Sequence, residues 1–376
     1  MKKRKKERLH KEHSRIVIIG SGLAGLSVAK SLEQAGFTNI HIYERDISFE
    51  SQKEGYGLTL TYNPKGPLAK LGLLEKCAQL DCPSRSHYTF DEQGNVRGYF
   101  GNAFTPTGNY GQRGNLRVPR KVLRKLLLDS LATTEIHWGY RYVSHFPIND
   151  GNSNRQTVSD NRYFQVQLQS TLNDDDLIEI SADLIIAADG IRSSIVQSFY
   201  ANDISASSAS ASPPALNMAL RPVHVRLVLG ISNFDHPLLK ERGFYTLDGK
   251  EHRLFTMPYE NEPRKTPRIM WQLSFRTSEE QSQAPLKPDE LHRDVLKRVK
   301  GWHNPVVDLI RATDPLAVWG TDLMDRDPNQ LLPLIPPRIL VVGDAIHCMT
   351  PFKGQGANQG KHTYSLYVLM NFIYTK

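Results

Sequence analysis

Four branched apolar residues, Ile16 to Ile19, run directly into a glycine-rich turn formed by Gly20, Gly22 and Gly25, and this junction limits the fold more than any other stretch. An apolar run without alternation reads as a short strand buried on both faces, the pattern of a parallel sheet. Leu26 to Ala35 follows as a good helix former, Gly36 ends that helix, and a second strand from Asn39 to Tyr43 closes on Glu44. Each part has a task in holding a dinucleotide. Gly20 permits the tight strand-to-helix turn, Gly22 lets the backbone approach a pyrophosphate, and Gly25 lets helix and strand pack closely. The helix N-terminus offers free N–H groups and partial positive charge to phosphates. Glu44, 24 residues after Gly20, suits a ribose diol. A GxGxxG pattern alone is weak, but here strand, helix, second strand and terminal acid occur in order. Ser21, Leu23 and Ala24 within the loop, and Arg45 after the acid, complete the candidate contacts. The segment does not say which dinucleotide is held.

Two later segments repeat the strand-then-acid arrangement. Asp183 to Ala188 is a buried strand that runs into Asp189, Gly190 and Arg192. Arg338 to Val342 is another, ending at Gly343 and Asp344. Ligands of open α/β sheets bind at the carboxyl ends of strands, where both aspartates fall. Pro351, Gly354, Gly356, Ala357 and Asn358 then form a glycine-rich loop expected to open a helix, its N–H groups facing a developing negative charge.

With these motifs in this order, the chain resembles the flavoprotein aromatic hydroxylases, typified by p-hydroxybenzoate and salicylate hydroxylases, over residues 14–360 or so. The resemblance implies an α/β fold in which a Rossmann-type FAD-binding domain with a parallel sheet is interleaved with a mostly antiparallel substrate domain. It implies FAD as cofactor and NADPH or NADH as electron donor. The Gly343-Asp344 pair is then expected to hold the ribityl chain, and the Pro351–Asn358 segment to lie beside the isoalloxazine. Asp189, Gly190 and Arg192 are associated with both FAD and the nicotinamide donor, and Arg120 with the flavin's phosphate or ribityl region. The implied reaction is hydroxylation or epoxidation of an electron-rich aromatic or polyene small molecule by O₂, through a flavin C4a-hydroperoxide. The cofactor carries that chemistry, and no catalytic acid or base is picked out by the sequence. Two alternatives stay open: a same-fold FAD reductase without oxygen insertion, and a non-catalytic flavin-binding protein. The Trp-x-Trp-x-Ile-Pro signature of flavin halogenases is absent from the sequence.

The formal charge of +8 raises the question of nucleic acid, but residues 1–13 carry +5 of it, so the other 363 residues hold only +3. A solvated basic tail is the expectation, with nuclear import through Lys2 to Lys6 as a weaker alternative to a cytoplasmic, soluble protein. No apolar run approaches the ~20 residues of a membrane span. Three cysteines without metal-type spacing point to a reducing compartment, with Cys348 a small buried residue. The 13 histidines are scattered, so no metal site is expected. His347 reads as packed and hydrogen-bonded, and Asp325 to Pro328 as a domain-joining turn. The oligomeric state is not legible.

The expected organisation is a basic disordered tail at 1–13, a discontinuous FAD-binding domain of 14–61, 113–200 and 331–376, and a substrate domain of 62–112 and 217–330. A low-complexity loop at 201–216 separates them. A helix is expected over 118–132, strands around 136–146, 163–169 and 177–187, and loops over 62–112. Val223–Leu229, Leu254–Met257 and Ile269–Phe275 suggest an antiparallel sheet covered by an amphipathic helix from Pro288 to Trp302. Past Gly360 the likeness to the family fades, with His362 where it has an acid, and Lys376 ends the chain; weak FAD retention is expected from this.

Overall fold

The computed structural model describes residues 9–51, 55–82, 86–101, 115–148, 163–199, 220–240, 242–260, 266–278, 287–327, 329, 335–354 and 356–358. The loop at 201–216 and the segment after Gly360 lie outside them. Five short strands form the parallel sheet: β1 (Ile16–Ile19), β2 (Ile40–Glu44), β7 (Glu135–Trp138), β11 (Leu184–Ala187) and β17 (Ile339–Val341), in the order β17-β11-β1-β2-β7. Every residue of β1 and β11 is buried, as apolar runs without alternation require when both sheet faces are covered. Helix α1 (Leu23–Gln34) crosses from β1 to β2 and packs against α4 (Arg120–Asp129).

A seven-stranded sheet provides the second body. Its strands are β4 (Ser86–Asp91), β5 (Val96–Gly101), β12 (Arg221–Asn233), β13 (Arg242–Leu247), β14 (Arg253–Glu260), β15 (Arg268–Arg276) and β16 (Trp319–Asp325), in the order β16-β12-β15-β14-β13-β4-β5. All its pairings are antiparallel except β13 with β4. Seven consecutive residues of β15 are buried, so both faces of this sheet are covered. One face carries α5 (Pro288–Arg298) and α6 (Val306–Arg311), with Trp271, Val295, Val306 and Leu309 in the shared core. The other face, with Met257, Tyr259 and Met270, looks toward the glycine loops of the parallel sheet. A three-stranded sheet of β8 (Tyr140–Ile148), β9 (Tyr163–Ser170) and β10 (Leu177–Ala182) covers the back of the parallel sheet. The ribbon of β3 (Gly57–Leu60) and β6 (Leu116–Pro119) joins the two bodies.

The structure departs from the sequence expectations where one residue turns the chain. The strands expected over 136–146 and 177–187 are each two strands in different sheets, broken at Gly139 and Asp183. Gly139, with φ +77°, donates its N–H to the Asp46 carbonyl and accepts from Thr171, which turns the chain out of the parallel sheet. The helix expected from 118 starts at Arg120, because Leu116–Pro119 pairs as β6 and Pro119 supplies its N-cap. Residues 62–112 were expected as loops on the substrate side. Two short helices, α2 (Pro67–Lys70) and α3 (Leu74–Gln79), instead bury Leu68, Leu74 and Cys77 in the core shared with α1 and α4, and among the described residues of this stretch β4 and β5 are the ones that join the substrate sheet. The basic tail folds sooner than expected: Leu9 packs on that core, and the Lys11 carbonyl accepts from Thr38 N at 3.1 Å. Helix α5 stops at Arg298, short of Trp302. The pairing of β2 with β7 brings together His41, Glu135 and His137, which sequence spacing leaves scattered and which overturns the expectation of no cluster with metal-ligand geometry. Among the described residues no helix is long and apolar enough to cross a membrane.

Candidate active site

A cavity of ≈ 460 Å³ opens where the carboxyl ends of β1, β11 and β17 face the second sheet. Gly22, Leu23 and Ala24 line it after β1, Gly190 after β11, and Gly343 and Asp344 after β17; Pro351, Gly354, Gly356 and Ala357 complete that wall. The glycines of the first turn divide their labour. Gly20 has φ +103°, and a Cβ on it would stand 2.5 Å from the Ala188 carbonyl oxygen; one on Gly25 would stand 2.0 Å from the Gly20 carbonyl oxygen. Both are needed for backbone-to-backbone packing. A Cβ on Gly22 would meet nothing within 4 Å, because that position faces the cavity.

Glu44 is buried and already engaged. Its Oε2 accepts from both the backbone N–H and the hydroxyl of Ser21 at 2.8 Å, and its Oε1 accepts from Asp46 N. Arg124, one turn along α4 from Arg120, completes this knot, donating from Nε to the Ser21 carbonyl at 2.8 Å and from Nη2 to the Ser21 hydroxyl at 2.6 Å. Its guanidinium also lies over the Phe49 ring, 5.0 Å from the centroid. Sequence reasoning passed over Arg124; its spacing of four from Arg120 puts both on one face of α4 but does not point to Ser21.

Asp189 turns its Oδ2 to the N–H of Ser194 at 2.9 Å, while Oδ1 is buried without a hydrogen-bond partner. Burial raises its pKa, against hydrogen bonds from Ser193, Ile195 and Ser194 that favour the anion. Asp344 lines the cavity and is exposed there, although the surrounding protein still counts against its charge. Desolvation raises its pKa, partly offset by the positive fields of His347, Arg120 and Arg326. Arg326 is buried and donates to the carbonyls of Ala345 and Ile191, tying the loop after β17 to the loop after β11. Asn358 does not line the cavity. It accepts from Thr61 N at 3.2 Å and donates to the carbonyls of Thr59 at 2.9 Å and Gly354 at 3.2 Å, which fastens the last glycine loop to β3. Arg120 lines the cavity, whereas Arg45 and Arg192 are exposed and outside its lining. Burial pushes the Cys348 thiol up to about 11.

The opposite wall was not anticipated residue by residue. His87, Arg117, Tyr245, Arg253, Met270 and Gln272 line it, along strands whose alternation marked the sheet without singling out side chains. Arg253 sits 4.7 Å from the Tyr245 ring centroid and 5.4 Å from that of Phe352, so its cation is framed by aromatic faces. Arg117 has Nε and Nη1 buried without hydrogen-bond partners. Burial lowers the pKa of both arginines, and neither loses its charge. Burial, helped by Arg117, pushes the His87 imidazole down to about 4, so that ring is neutral at pH 7.

Residues 13–371 match the family described as FAD binding domain. Monooxygenase cfoF of Aspergillus candidus is 24% identical over 380 residues, covering 91% of this chain and 79% of that protein. Salicylate hydroxylase of Pseudomonas putida is 23% identical over 365 residues, covering 92% of this chain and 74% of that protein. Klebsiella pneumoniae HpxO, solved in complex with FAD and uric acid, has the same fold, with a TM-score of 0.72 and 21% identity over 98% of this chain and 82% of that one.

Proposed function

The chain belongs to the FAD binding domain family of flavin-dependent monooxygenases, and on that premise we propose that its cavity takes FAD along the glycine-lined wall and an anionic, electron-rich aromatic substrate against the opposite sheet. The glycine-lined wall fits a flavin dinucleotide. Gly22, Gly190 and Gly356 each leave a space where a Cβ would meet nothing within 4 Å, and α1, 12 residues long, aims its N-terminus into that space. In this reading the N–H groups at Leu23 and Ala24 hold the pyrophosphate, and Asp344 accepts from the ribityl hydroxyls. Arg120 offsets the phosphate charge, and the segment from Pro351 to Ala357 borders the isoalloxazine. FAD held there would supply the redox chemistry, accepting a hydride from NADPH or NADH and giving the electrons by which one atom of O₂ goes to the substrate and the other to water.

The observation that carries the substrate reading is the pair of cations, Arg117 and Arg253, on a wall whose other lining is mostly aromatic and thioether. Asp81 offsets part of the Arg117 charge, but the buried Nε and Nη1 donors have no hydrogen-bond partner, and an anionic guest would supply charge-assisted acceptors for them. Phe255, Met257 and Met270 offer a flat apolar surface for a ring, and neutral His87 can accept a hydrogen bond from a phenolic hydroxyl. A cytoplasmic location belongs to the same proposal, supported by three buried cysteines that form no disulfide.

The test is NADPH and NADH oxidation with O₂ uptake by FAD-loaded protein, across a panel of phenolic acids and their neutral amides. Stimulation by the acids, with a hydroxylated product, is the expected result. Arg253→Met should raise KM for the acids by about tenfold to a hundredfold, from loss of a charge-assisted contact, and leave the amides unaffected. Equal stimulation by acids and amides would remove the anion reading. Flavin reduction without oxygenated product from any substrate would favour a reductase.

A further inference from the structure

The cluster of His41, Glu135 and His137 lies on β2 and the edge strand β7, apart from the residues that line the cavity. The parallel register sets His41 beside Glu135 and Tyr43 beside His137, so all four side chains share one sheet face. Three ligand-type atoms converge there. His41 Nδ1 lies 3.2 Å from His137 Nε2 and 3.3 Å from Glu135 Oε2, and His137 Nε2 lies 3.7 Å from the same oxygen.

The hydrogen bonds around the cluster settle which atoms carry lone pairs. Asn39 donates from Nδ2 to the His13 carbonyl at 3.3 Å, which turns its Oδ1 toward His41. His41 Nε2 stands 2.8 Å from that Oδ1 and must therefore be the protonated nitrogen. Nδ1 is left bare, facing a carboxylate oxygen and a second imidazole nitrogen. Three electron-rich atoms thus surround one point, with at most the His137 proton to share among them. An N–H of a ligating histidine held by an amide or carboxylate oxygen is the usual outer support of a metal site. Tetrahedral Zn²⁺ with bonds of about 2.0–2.1 Å has ligand-to-ligand edges of roughly 3.3–3.4 Å. Two of the observed separations sit at that edge length, and the third needs a shift of a few tenths of an ångström from Glu135, whose side chain is 67% exposed. His137 is also steadied by stacking on Tyr43, 4.4 Å between centroids. The neighbouring Arg15 charge opposes a bound cation, whereas the Glu135 charge favours one.

We propose that His41, His137 and Glu135 bind a single Zn²⁺ ion, with a fourth position open to water, and that Asn39 orients His41 for it. The ion would clip the edge strand β7 to β2 beside the end of the first dinucleotide motif.

The experiment uses the full chain loaded with FAD, stripped of metal with a chelator and titrated with Zn²⁺ against a chromophoric competitor. One tight equivalent per chain is expected, with the melting temperature rising as Zn²⁺ is added, because an ion bound only by the native state stabilises it. His137→Gln should weaken the site by about 100-fold or more, and the outer-support variant Asn39→Ala by about 10- to 100-fold. Glu135→Gln, at an exposed position that does not burden folding, should also weaken it and abolish the thermal shift. Zn²⁺ binding of equal strength in wild type, His137→Gln and Glu135→Gln would overturn the proposal, as would the absence of a tight equivalent in wild type. Either result would identify the cluster as a histidine pair sharing a proton.

Discussion

Gly22 and Gly25 belong to one motif but fail for different reasons when replaced. Gly22 has ordinary extended backbone and an open Cβ direction, so Gly22→Val should leave apo-protein stability within about 0.5 kcal/mol of wild type. It should nevertheless abolish FAD retention, because the branched side chain enters the space assigned to the pyrophosphate. Gly25→Ala places a Cβ 2.0 Å from a backbone carbonyl and should cost roughly 1–3 kcal/mol or more in urea unfolding. A Gly22→Val protein that purifies yellow would refute the assignment of that loop. The glycine positions were legible because each requirement is local to a strand–turn–helix. Arg124 was not: its burial depends on contact with Ser21, 103 residues away, and nothing in the leucine spacing of α4 announces it. The arginines of the substrate wall were hidden for the same reason, since period-two alternation gives the face but not what the face opposes.

Among elements, the ribbon of β3 and β6 and the last glycine loop act as one part, because Asn358 spans them with three hydrogen bonds. Asn358→Ala leaves Thr61 N without this acceptor and two carbonyls without this donor. A loss of about 1–3 kcal/mol in stability is expected, with FAD affinity falling as the loop detaches, and isothermal titration with FAD measures the second effect. Unchanged affinity would mean that the loop keeps its place without Asn358. Element identity was largely readable: the buried strands of the parallel sheet, α1, and the antiparallel β12, β14 and β15 follow their periodicity. Element boundaries were less so. Gly139 and Asp183 divide runs that look continuous, because a strand can change sheets without losing its apolar pattern.

For the molecule as a whole, two histidines on different sheets, His87 buried and His145 half-buried, link stability to acidity. Burial pushes both His87 and His145 down to about 4, so the native state binds fewer protons than the unfolded chain between there and the ordinary imidazole value near 6.5. Their contribution is therefore complete above that value and drains away as pH falls toward 4, by about 1.4 kcal/mol per pH unit for each ring. Asp189 and Asp344, raised by burial, work in the opposite sense, so the informative comparison is differential: His145→Gln should flatten the fall in stability between pH 7 and pH 5. A slope identical to wild type would show that His145 is protonated without cost.

The strand order carries a last consequence, for how the chain is made. β17 lies beside β11, yet Ile339–Val341 leaves the ribosome 152 residues or more after Ala187. Until then the apolar edge of β11 has no neighbour, and the cavity wall from Gly343 to Ala357 does not exist. A nascent chain can close β1 on β2 early but cannot be rescued by its cofactor, which has nowhere complete to bind. Folding yield should therefore depend on chaperones that shield the growing chain, while added flavin helps only after release.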